Sequence, residues 1–180
     1  MDFSILLTKE YIALISVVIG AILGFLLSFL KDWIIEGRKQ MEKKVDLRRE
    51  RLEELYVGFS KWSTHIISEQ ITLLSVMENK ITFNDYLDLK IEKTIKFDAQ
   101  KNEMILEVYA DNLLKAHGDV RKQLVYLNQI KDDFEKLYSK QGPHIASREF
   151  LEGNKLFTVK FEEKSDIFKE QLAYEIRQVI

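Results

Sequence analysis

LEELYVGFSKWSTHIISEQITLLSVM, residues 52–77, decides the fold class. Its apolar side chains fall at Leu52, Leu55, Phe59, Trp62, Ile66, Leu73 and Val76, alternating steps of three and four, with Glu69 as the one polar interruption. That spacing puts one seam along a helix and cannot be satisfied by a strand, whose side chains alternate with period two. Ile67, Ile71, Leu74 and Met77 widen the apolar face beyond two positions per heptad. A face this wide packs into a bundle rather than a two-stranded coil.

The rest of the chain agrees with long helices. Its 180 residues hold seven Gly and one Pro, too few breakers for a turn-rich β architecture. The expected fold is therefore all-α, a bundle of long helices with coiled-coil-like packing. Downstream of the seam, Thr82-Phe83-Asn84-Asp85 offers side-chain oxygens that can cap a short helix through Tyr86, Leu87, Leu89 and Ile91. Helical spacing from Phe97 to Tyr138 predicts a further helix, with a kink expected at His117-Gly118-Asp119. Gln141-Gly142-Pro143 ends it, because Gly suits a left-handed C-terminal position and Pro cannot continue a helix. A last helix is expected from near Ser147, burying Phe150, Phe157, Phe161, Phe168 and Leu172. The strict alternation Phe157, Val159, Phe161 leaves a short strand at 155–161 as the alternative.

Upstream of the seam the composition changes. Tyr11 to Leu30 reads YIALISVVIGAILGFLLSFL, with no ionisable group besides the tyrosine hydroxyl. Twenty helical residues extend about 30 Å, the thickness of a bilayer's hydrocarbon core. The run is therefore expected to span a membrane, flanked by Tyr11 and Trp33 where amphipathic rings favour headgroups. A cleaved signal peptide fits poorly, since Asp2, Lys9 and Glu10 precede the run and no small-residue cleavage site follows it. One basic residue, Lys9, lies before the run, against eight Lys/Arg in residues 31–51. The positive-inside rule then orients the C-terminal part to the cytoplasmic face of the plasma (inner) membrane. This divides the chain into a short extracytoplasmic N-terminus (1–10), a transmembrane helix with its interfacial flank (11–35), a basic juxtamembrane helix (36–51) and a cytoplasmic helical domain (52–180).

Three sets of residues are candidates for function. Ser16, Gly20, Gly24 and Ser28 recur every fourth residue, the small-residue stripe that lets transmembrane helices approach closely. Arg38, Lys39, Lys43, Lys44, Arg48 and Arg49 form a basic stretch that can face anionic lipid, although interleaved acids reduce the attraction. The Leu52–Val76 seam is the third. Expected partners are membrane lipids and either a second copy or a membrane partner protein.

Chemistry is not signalled. The chain has no Cys, which removes disulfides, thiolate nucleophiles and cysteine zinc sites. His65, His117 and His144 share no metal-ligand spacing, and His65 with Glu69 one turn away reads as a helix contact. No phosphate-binding glycine loop, nucleophile elbow or H-E-x-x-H pattern occurs, so no catalytic residue and no cofactor is expected. Residues 52–180 carry eighteen Lys/Arg against twenty-two Asp/Glu, and this mildly acidic balance argues against nucleic acid. What remains is a membrane-anchored interaction module that self-associates or tethers a cytoplasmic partner. The alternatives are an effector whose clustered anchors permeabilise the bilayer, and an accessory subunit of a larger membrane complex.

Overall fold

The computed structural model describes residues 3–92 and 98–179; of these, the side chains of 3–15, 18, 90–92, 143 and 144 lie outside the description. The protein is all-helical: α1 (Phe3–Met77), α2 (Phe83–Glu92), α3 (Ala99–Tyr109), a 3-10 turn (Asp111–Leu113), α4 (Leu114–Gln141) and α5 (Pro143–Gln178). The chain divides into two compact units, residues 1–46 and 47–180.

The first unit is a stretch of α1 alone. Every described residue from Ile19 to Asp46 is exposed within it.

The second unit is a helical bundle. Leu52, Leu55 and Phe59 of α1 are buried with Ile105 and Leu106 of α3, Val120 and Leu127 of α4, and Phe161, Phe168 and Leu172 of α5. Leu73, Val76 and Met77 close a second cluster with Tyr86 of α2, Phe134 of α4 and Ala146 of α5. The short helices α2 and α3 thus cover successive stretches of the same α1 and α4 surfaces. Between α4 and α5 the backbones approach closely along their length. Small residues permit this: a Cβ added at Gly153 would sit 3.6 Å from Ile130 Cδ1. By contrast, α1 meets α5 through large rings, Phe59 edge-on to Phe168 at 4.5 Å and Trp62 edge-on to Phe161 at 5.8 Å.

Local chemistry sets the helix ends. Asn79, the one described non-glycine residue with positive φ (56°), ends α1, while Lys80 N–H donates to Ser75 O at 2.8 Å. Thr82 and Asp85 cap α2 reciprocally, Asp85 N–H donating to the threonine hydroxyl oxygen and Thr82 N–H to the carboxylate. The Asp98 side chain accepts from Lys101 N–H at 3.0 Å and starts α3. Gly142, at φ 84°, donates its N–H to Tyr138 O and turns the chain directly into Pro143 at the start of α5.

Three sequence expectations are corrected. The interruption within 97–138 lies at Ala110–Leu113, and Gly118 sits inside α4. Ala110 leaves helical geometry (φ −157°, ψ 55°), and the Asp111 carboxylate accepts from Asn112 N–H at 2.9 Å. Such local bonds compete with the helix ladder, whereas a helical Gly costs only about 1 kcal/mol, here offset by buried His117 and Val120 on either side. Second, 155–161 is helix: Phe161 is buried and Phe157 partly so, while Val159 is 62% exposed, although all three would share one face of a strand. Third, α5 starts at Pro143, one turn before Ser147.

Candidate interaction surface

The three sequence-defined sets occupy different environments. Ser16, Gly20, Gly24 and Ser28 are exposed, and a Cβ at Gly20 or Gly24 would meet nothing within 4 Å. Around them Val17, Ile22, Phe25, Leu27 and Phe29 are all more than half exposed, so apolar side chains face outward on every side of this helix. Among the described residues, no helix is long and apolar enough to cross a membrane. The expected span begins at Tyr11, however, and its residues 11–15 and 18, like Lys9 before it, lie outside the described side chains.

In the second set, Arg38, Lys39, Lys43 and Lys44 are exposed, with no ion-pair partner among the described residues. Arg48 and Arg49 differ. Arg48 donates to Tyr109 O at 3.1 Å and pairs with Glu175 at 3.3 Å, joining α1 to the end of α3 and to α5. Arg49 pairs with Glu53 at 2.9 Å, and neighbouring Arg51 with Glu54. Glu54 also takes Lys101 of α3; these two cations hold its carboxyl below the ordinary range, Lys101 contributing most. The basic stretch thus divides into cations spent on the bundle and cations left to solvent.

The third set, the seam, lies inside the bundle, with Leu52, Leu55, Phe59, Leu73 and Val76 buried and Trp62 and Ile66 packed against the core. Glu69 turns toward α2 and α4, accepting from Tyr86 Oη at 2.8 Å with Lys131 Nζ 3.8 Å away. Burial first, then the Glu69 charge, pushes the Tyr86 phenol well above its usual range, so it remains a donor.

One polar group was invisible in the sequence. Asn154 Nδ2 donates to Gln70 Oε1 at 3.0 Å, both fully buried, and Thr158 donates to Asn154 O at 2.8 Å. No local pattern marks residues 84 positions apart as partners. His117 is buried against Phe168, and burial, then Arg121, lowers its pKa against an opposing pull from Glu103.

A shallow cleft of about 270 Å³ between α4 and α5 mixes Lys115 and Lys164 with Asp119, Asn112 and Gln171, so no single charge is selected. Among the described residues no His, Asp and Glu group could hold a metal ion. No family model, curated protein or solved structure matches the chain.

Proposed function

We propose that the protein is a membrane-held interaction module: its N-terminal apolar helix lies in the bilayer and keeps the helical bundle at the cytoplasmic face, where it associates with a second copy or a partner protein. The observation that carries this reading is the outward apolar surface of residues 17 and 19–30, which water would penalise by about 25 cal/mol per Å². A soluble monomer does not normally leave so large a contiguous apolar surface uncovered. The sequence from Tyr11 supplies the length needed to span. Support for an interaction role comes from the bundle, where ionisable side chains pair with one another across helices, as Arg48 does with Glu175 and Lys101 with Glu54.

Fractionation tests the membrane reading. The full chain should stay with membranes through alkaline carbonate washing and leave them only with detergent. A tag at the C-terminus should resist protease added outside intact cells. Release by carbonate, or cleavage of that tag, overturns the proposal.

A further inference from the structure

Helices α2 and α3 are nearly equal in length, yet the bundle holds them differently. Helix α3 buries Asn102, Ile105 and Leu106, its Lys101 pairs with Glu54, and Tyr109 O accepts from Arg48, so it is tied to α1 near both ends. Among the described side chains of α2, residues 83–89, only Tyr86 is buried and Phe83 partly so, and the other five are exposed. The footing is two rings. Phe83 lies 5.3 Å from the Tyr138 ring and 6.3 Å from the Phe134 ring, while Tyr86 Oη donates to Glu69. Ten helical residues are too few to be stable alone, so α2 depends on that footing.

We propose that α2 is a lid: it lifts from α1 and α4 while α1, α3, α4 and α5 stay packed, uncovering Val76, Phe134 and the Glu69–Lys131 pair. Three features separate this motion from unfolding. The N-terminal cap is internal to the segment, Thr82 and Asp85 satisfying each other, so it travels with α2. The turn before it stays with α1, because Asn79 N–H donates to Val76 O and Lys80 N–H to Ser75 O, and the swivel falls at Ile81–Thr82. Lifting Tyr86 leaves the Glu69 carboxylate with Lys131 Nζ 3.8 Å away, so no buried charge is stranded. The lid concerns the bundle alone, and it stands whether or not residues 11–30 lie in a membrane.

The chain has no Cys, so one introduced thiol reports one site. Val76, seven residues on from Glu69, lies on the α1 face under α2, and Val120 lies in the other core cluster; they are 1% and 0% exposed. Val76→Cys and Val120→Cys are therefore matched substitutions, one under the lid and one away from it. In the full chain in neutral detergent, dithionitrobenzoate should modify Val76→Cys about tenfold faster or more, at a rate nearly flat in dilute urea. Val120→Cys should react through global unfolding and speed up steeply with urea. Hydrogen exchange of the unsubstituted chain guards against a valine change that loosens α1: amides of 83–92 should exchange about tenfold faster or more than those of 99–109. Equal thiol rates, a shared urea slope, or α2 amides exchanging as slowly as those of α3 overturns the inference. Fraying of the α1 end alone gives that last result, since it exposes the thiol and leaves the α2 amides slow.

Discussion

The Asn154–Gln70 contact allows a quantitative test of how the bundle is held. Both side chains are 0–1% exposed, and their 3.0 Å hydrogen bond joins α5 to α1. Gln70→Met leaves Asn154 Nδ2 without its acceptor, and Asn154→Leu leaves Gln70 Oε1 without its donor. An orphaned buried polar group costs about 1–3 kcal/mol, so each single change should destabilise by about 2 kcal/mol. The double variant orphans neither partner and replaces both with apolar groups of similar shape. It should lose far less than the sum, a coupling of about 1–3 kcal/mol. Urea unfolding reads this well, because about 2 kcal/mol moves a midpoint by roughly 1 M at typical slopes. The two tryptophans are Trp33 and Trp62; Trp33→Phe leaves Trp62, packed on Phe59 and Phe161, as the reporter of the bundle alone. If the two single effects simply add within about 0.5 kcal/mol, the hydrogen bond contributes nothing specific and the reasoning fails.

Other outcomes follow from single residues. Burial depresses the His117 pKa, so the folded state binds fewer protons than the unfolded one; stability from the neutral ring is complete above about 6.5 and declines as pH falls toward the depressed value. His117→Gln should flatten that part of the pH profile of the urea midpoint, and an unchanged slope would exclude His117 as its source. Tyr86→Phe removes the donor to Glu69 and should cost about 1–3 kcal/mol, with faster hydrogen exchange in α2 than in α3. Gly118→Ala, in open space inside α4, should raise stability by up to about 1 kcal/mol, whereas a helix broken at that point would be destabilised by it.

How far the sequence predicts the bundle depends on the range of the forces involved. The α1 seam was legible from Leu52 to Val76 because helical periodicity is written in neighbouring residues. The Gly142–Pro143 turn was legible because two backbone-restricted residues stand side by side. At Ala110–Leu113 the local signal was weaker than the one at His117-Gly118, and burial of His117 against Phe168 outweighed the glycine's reluctance to be helical. Phe157, Val159 and Phe161 fitted two periods over so short a window, and only the position of α1 across from α5 separates them. Glu69 was visible as an anomaly in its seam, but Tyr86 and Lys131 were not visible as its neighbours. The division of the basic stretch was equally hidden. Arg48 meets Glu175 across 127 residues, a pairing that no reading of residues 36–51 contains.

The ring contacts between α1 and α5 also impose an order of events during synthesis. Leu52 to Val76 leaves the ribosome about a hundred residues before Phe161, Phe168 and Leu172 have all emerged, an interval of roughly 5–20 s at ordinary elongation rates. The α4–α5 hairpin, whose two strands of contact are neighbours in the chain, closes as soon as both halves exist. For that interval α1 presents a greasy flank with no α5 to cover it, and the nascent chain is a natural client for a chaperone that shields helices. The first helix to be made is the last to be enclosed.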